Sequence, residues 1–199
     1  ESSAASDVYK RQGVKRGSHN RDYWAGYIQQ ILKKPLIKKE KYIDQSVILM
    51  SEQTQTPSNF YDQTPCPFRQ KGGSHKAHDL LDTFLEGRGE NYQKEMSSPI
   101  TAENSCSRLS PHFTHGTLSL RQAYQLAEKK RFEVQSTNKV FAKSINAFLS
   151  RLYWRSHFIQ KLEDEPSIEL QSFIPLYDDI REKDEKKLQS WIKGETGIP

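Results

Sequence analysis

The sequence predicts an all-α protein on three observations. About four or five segments carry an apolar period near 3.6 residues, alternating strand patterns are almost absent, and helix-boundary residues flank the periodic segments. The first segment is Arg21 to Lys33, with Asn20 as its cap and Tyr23, Trp24, Tyr27, Ile28, Ile31 and Leu32 on one face. Residues 34–73 show no sustained period. Pro35, Pro57, Pro65, Pro67, Gly72 and Gly73 punctuate a Ser/Thr/Gln-rich run, which reads as a long linker with a short strand near Ser46–Met50. A helix from about His75 to Glu86 follows, with Ala77, Leu80, Leu81, Phe84 and Leu85 on one face and Gly87 as its stop. Residues 88–99 read as a polar loop.

Further along, Ser110 is placed to cap a helix whose first position suits Pro111. Ser119 and Gln122 have capping-box spacing for a helix through Ala123, Leu126 and Ala127 to Lys130. The longest helix spans about Thr137 to Glu163. Val140, Phe141, Ile145, Phe148, Leu149, Leu152, Ile159 and Leu162 keep helical spacing along it for roughly six or seven turns. Pro166 and Pro175 break an acidic connection, and a last helix from about Arg181 to Lys193 ends at Gly194.

Composition narrows the function classes. The 34% hydrophobic content is low for a compact globule of 199 residues, so a sizeable share must be linker or surface. No stretch approaches the roughly 18 consecutive apolar residues of a membrane span. Thirty Lys and Arg against 25 Asp and Glu leave +5, an excess compatible with nucleic acid or a dinucleotide phosphate as partner. Two cysteines, Cys66 and Cys106, lack zinc spacing and predict a reducing compartment: cytoplasmic, or nuclear or organellar in a eukaryote. The six histidines are scattered, and no metal site is expected.

Two stretches carry candidate chemistry. The run from Ser105 to Gln122 reads S-C-S-R-L-S-P-H-F-T-H-G-T-L-S-L-R-Q. On its residues alone it is a capped helix preceded by a surface Arg. A helix N-terminus also offers unpaired N–H groups and partial positive charge, so Ser107, Arg108 and Ser110 together suit a phosphate. The long helix carries F-L-S-R-L-Y-W-R-S-H-F, which sets Phe148, Arg151 and Arg155 three and four residues apart with Trp154 beside them. By itself that is an apolar helix face with two solvated arginines.

S-R-L-S-P, then G-T-L-S and an Arg two residues on, resembles the flavin-binding signature of the DNA photolyase/cryptochrome family. The terminal K-L-Q-S-W-I-K-G-E-T-G-I-P is similar to that family's W-x-x-G-x-T-G-x-P motif, and Gly13 to Ala25 resembles the chain leaving its light-harvesting domain. The resemblance implies the first half of a helical FAD-binding domain over residues 74–199. It also implies an interdomain linker over 35–73 and the end of an antenna domain over 13–34. Both ends read as cut, and residues 1–12, similar to translated adaptor sequence, are set aside as non-native.

For the site, the resemblance implies that Cys106, Ser107, Arg108, Leu109 and Ser110 hold the phosphates and ribityl chain of FAD. Tyr92 stands at a nucleotide-contacting position, and Phe148 replaces a flavin-facing Trp. Trp154 matches the aromatic that stacks on an extruded lesion, and Arg155 an Arg of the same wall. Three departures accompany the match. Arg151 sits where repairing members have a Glu, Cys106 replaces a Thr, and Met96 occupies a position where some members have a DNA-contacting Arg. The implied activity is blue-light-driven electron transfer from FAD to pyrimidine dimers in damaged DNA, by a monomer. The alternatives are a cryptochrome-type photoreceptor without repair and a helical interaction module without cofactor.

Overall fold

The structure, a computed structural model, describes residues 21–37, 69–178, 180 and 182–197. Asn20, residues 1–12, the strand expected at 46–50 and most of the expected linker lie outside the described residues, as do the side chains of Tyr23 and Trp24. The described residues are helical, with no strand among them. In order they form α1 (Arg21–Leu32), α2 (Ser74–Thr83), a π-turn (Phe84–Arg88), α3 (Tyr92–Glu95) and α4 (Ala102–Ser105). Then come α5 (Ser110–Thr114), α6 (Leu120–Val134), α7 (Lys139–Asp164), short 3-10 turns at Pro166–Glu169 and Pro175–Tyr177, and α8 (Glu185–Lys193). Packing divides them into two units, with the boundary inside α7 between Ser156 and His157.

In the first unit the apolar faces meet as their spacing requires. Ala77, Leu81, Phe84 and Leu85 pack with Phe141, Ile145, Phe148, Leu149 and Leu152 of α7, joined by Ala123, Tyr124 and Ala127 of α6. Ile28 and Leu32 bring α1 into the same core, whereas Tyr27 and Val140, counted on the apolar faces by spacing, stay exposed. Side chains of α6 satisfy carbonyls at the end of α1, which have no partner inside their own helix. Gln125 donates to Leu32 O at 2.9 Å and Lys34 O at 2.8 Å, and Arg121 to Pro35 O at 3.2 Å. Asn138 starts α7 by accepting from Phe141 N–H at 3.0 Å. The buried Ser144 donates to Glu90 O at 2.6 Å and accepts from Gln93 N–H at 3.2 Å, tying the turn before α3 to α7.

Several boundaries differ from the sequence expectation. Gly87 does not stop α2: the chain continues through it as a π-turn and leaves at Gly89. Residues 88–99 are not wholly loop, because α3 forms there around the buried Tyr92. Ser110 does not cap α5. Leu109 takes the cap position, without a side-chain hydrogen bond, and Ser110 is the first helical residue. Ser119 does sit at the cap of α6, but its side chain makes no capping bond, so the expected box is open. In the second unit Asp184 caps α8 by accepting from Lys187 N–H at 3.0 Å, and Gly194 ends it at φ 71°. Lys161 bonds Glu165 at 3.0 Å and stacks 4.1 Å from the Phe173 ring.

Gly89 is required where it stands. A Cβ built there would lie 2.5 Å from the fully buried Phe84 ring. Gly89→Ala should therefore lower stability by about 1–3 kcal/mol, the usual cost of overpacking. Denaturant unfolding followed by circular dichroism checks this, and an unchanged midpoint would mean that the ring moves aside freely.

Candidate cofactor-binding site

The site is built outward from the π-turn. Gly89 N–H bonds Phe84 O at 3.0 Å, a wider closure than the α-helical one. The Arg88 side chain meets both the end of α2 and the chain beyond α4. Its guanidinium donates to Leu80 O at 2.9 Å, Asn104 O at 3.3 Å, Ser107 O at 3.5 Å and to Cys106 O, while Nε reaches Thr83 Oγ1 at 3.4 Å. Its charge also lies 5.7 Å from the Phe84 ring centroid. Burial, helped by the neighbouring Arg108 charge, pulls the Arg88 pKa below its ordinary value. Arg88 was missed in the sequence, where it opened an unremarked polar loop.

Arg88 thereby holds the turn that leads into the signature. Cys106 is extended, Arg108 takes φ 61°, and Leu109 returns to the αR region at φ −88° and ψ −7°. Arg108 is the one non-glycine residue with positive φ among those described. Such a conformation costs about 1 kcal/mol or more and persists only where the surroundings impose it. Here the Arg108 side chain is held as well. The Gln70 amide, its oxygen turned to the guanidinium, accepts from Nε at 2.7 Å and Nη2 at 3.3 Å and donates to Arg108 O at 3.1 Å. Glu103 lies 3.9 Å from Nη1. A positive-φ residue followed by an αR residue turns successive N–H groups toward one side, a geometry that favours anions. Beside it lies an open hollow of about 560 Å3 lined by Pro99, Ala102, Glu103, Cys106 and Arg108.

Behind the signature sits an aromatic trio. Phe84 meets Tyr92 edge-on at 5.6 Å and Phe148 at 4.9 Å, and Tyr92 meets Phe148 edge-on at 6.3 Å. Phe148 is 3% exposed, so the structure places it beneath Tyr92 in the core rather than open to the hollow. Tyr92 is buried too, and the Arg151 charge lies near its hydroxyl. Arg151 in turn lies 5.0 Å from the ring of Trp154, which is 47% exposed. Arg155 stacks instead on Phe113 of α5 at 5.8 Å.

Of the residues expected from the sequence, Tyr92, Cys106, Arg108 and Arg151 lie within electrostatic reach of one another in a chain of neighbours. Ser107 is half-buried and Ser110 exposed, while Leu109 is buried as an anchor. Burial pushes the Cys106 thiol up, so it is a neutral, weak donor. The donor set as a whole fits an anionic diphosphate: one guanidinium, two hydroxyls and a positive-φ turn of the kind that favours anions.

Comparison with known proteins points the same way. Residues 148–199 match the FAD binding domain of DNA photolyase. The chain is 31% identical over 128 residues to a deoxyribodipyrimidine photo-lyase of Halobacterium salinarum, covering 64% of this chain and 26% of that protein. It is 29% identical over 133 residues to the photo-lyase of Streptomyces griseus, covering 67% and 26%. A third, from Neurospora crassa, is 28% identical over 131 residues, covering 64% and 20%. The chain thus spans about a quarter of the length of the first two relatives. The described fold is helical, and the match to the FAD binding domain of DNA photolyase supports FAD as the cofactor. The chain is similar to DNA photolyases over part of its length.

Buried Tyr92 and half-buried Tyr153 fix a pH dependence. Burial raises the pKa of Tyr92 and of Tyr153, the latter also bonded to Tyr124 at 3.0 Å, above the ordinary value of 10.0. The folded state therefore keeps protons that the unfolded chain releases. That stability is fully present below about pH 10 and is lost as pH rises above it. Replacing both residues, Tyr92→Phe with Tyr153→Phe, should flatten the loss of stability between about pH 9 and 11. Denaturant midpoints measured across that range check this, and an unchanged slope would contradict it.

Proposed function

We propose that this chain supplies the phosphate-binding part of an FAD site in an enzyme that repairs pyrimidine dimers in DNA with blue light. The observation that carries the reading is Arg108, held at positive φ beside the open hollow by Arg88 on one side and Gln70 on the other. When bound, FAD supplies the light-absorbing and redox chemistry. The residues of this chain bind and orient. Arg108, Ser107 and Ser110 donate to the phosphates, the main chain at Cys106 and Leu109 shapes the cradle, and Tyr92 sits behind it with Phe148 as its support. Trp154 offers an exposed flat ring on which an extruded base can stack, and Arg155 completes that wall. The partner is damaged DNA, the working unit is a monomer, and residues 13–34 and 35–73 are the end of an antenna domain and the linker from it.

One observation favours a second reading, a cryptochrome-type photoreceptor without repair. Arg151 stands where a lesion-binding carboxylate is expected, within reach of Tyr92 and beside Trp154. A guanidinium carries donors and no acceptor, so it cannot accept from the imide N–H of a thymine. It attracts DNA phosphate as well as a lysine would, which leaves binding intact.

Two measurements decide. Arg108→Ala should weaken FAD by roughly ten- to a hundred-fold, the cost of about 1.5–3 kcal/mol for a lost charge-assisted bond. Flavin titration with unchanged affinity would remove Arg108 from the site. Light-dependent repair of a dimer-containing oligonucleotide separates the two readings. Repair should be weak in the parent protein and rise in Arg151→Glu. No repair in either, with flavin bound, favours the photoreceptor, and a protein that takes up no flavin returns the chain to a helical interaction module.

A further inference from the structure

We propose that Arg88 is the positioning residue of the FAD phosphate site: it sets the direction in which the Ser107–Ser110 segment presents its N–H groups, without touching the cofactor. The inference rests on the reading of that segment given above and adds to it the residue through which the segment acts.

The argument begins with the peptide unit. The chain has no cis peptide among the described residues. In a trans peptide the C=O of one residue and the N–H of the next point in opposite directions. Arg88 draws the carbonyls of Asn104, Cys106 and Ser107 toward its guanidinium. The N–H groups of Ser105, Ser107 and Arg108 must then point away from Arg88. Two of these lie in the segment that holds the anion, and the positive φ of Arg108 followed by αR Leu109 brings the next N–H groups to the same side. Arg88 therefore keeps the N–H groups of Ser107 and Arg108 off its own side of the main chain, where an anion can meet them.

The partners of Arg88 identify what kind of residue the position needs. They are four carbonyls and one hydroxyl, drawn from α2 and from residues 104–107. A planar fork with five donors can serve them together, whereas a lysine ammonium is a compact point charge. The π-turn contributes as well, since it ends at Arg88 and delivers the side chain to carbonyls of both segments.

The test compares the purified protein with Arg88→Lys, Arg88→Ala and a control, Ile28→Ala, which loosens the core at α1 and leaves the Arg88 bonds alone. FAD affinity is measured by fluorescence titration, and the thermal midpoint without FAD is recorded for each. Arg88→Lys should bind FAD at least about ten-fold more weakly, while Ile28→Ala should stay within about two-fold of the parent despite a lowered midpoint. Millimolar guanidinium should restore part of the affinity of Arg88→Ala and none to Arg108→Ala. Unchanged FAD affinity in Arg88→Lys, or equal losses in Arg88→Lys and Ile28→Ala, would overturn the proposal and leave the FAD site itself standing. A parent protein that fails to bind FAD would instead remove the functional reading beneath it. Should Arg88→Lys not fold, Arg88→Gln, which keeps a donor, takes its place in the same comparison.

Discussion

A guanidinium partly withdrawn from water must recover hydrogen bonds inside the protein, and the half-buried Arg88 recovers them on main-chain carbonyls. That one requirement joins two parts of the chain far apart in sequence, the end of α2 and the residues before α5. It also explains a local irregularity. An α-helix with a π-turn at its end gives up regular ladder geometry, and the return here is a side chain delivered to the turn that needs it. The strained Arg108 follows from the same arrangement, since Ser107 before it and Arg108 itself are held by partners outside their own segment.

The aromatic core supports the clamp from beneath. Phe84 lies in the π-turn itself, touches Tyr92 and Phe148, and has Gly89 directly under its ring. Aromatic pairs of this kind add roughly 0.5–1.5 kcal/mol each beyond simple burial. The helix that carries Phe148 also carries Arg151 and Trp154, so the packing that seats α7 sets the outer wall as well. Stability and site geometry are coupled through one helix.

Much of this was legible in the sequence, for a physical reason. Amphipathic period is imposed by burial, so α2, α6 and α7 could be read from where apolar residues recur. The same pattern placed Phe148 and Leu152 inside. Boundaries were less legible. Ser110 and Ser119 have the right chemistry to cap, but a cap depends on the side-chain rotamer and the local turn, and neither serine bonds there. Gly87 looked like a stop because glycine favours helix ends, yet a π-turn accommodates it in mid-run. Arg88 was the least legible residue, since its partners are carbonyls, and a carbonyl leaves no mark in the amino-acid code. The family signature, by contrast, was visible because its side chains themselves are specified.

The central claim is that Cys106 to Ser110 form the face on which the phosphates of FAD rest. Amide hydrogen exchange of the protein with and without FAD measures this directly. Peptides covering Cys106 to Ser110 should gain protection when FAD is added, more than peptides from α1. Protection that appears elsewhere and passes over this segment would contradict the account.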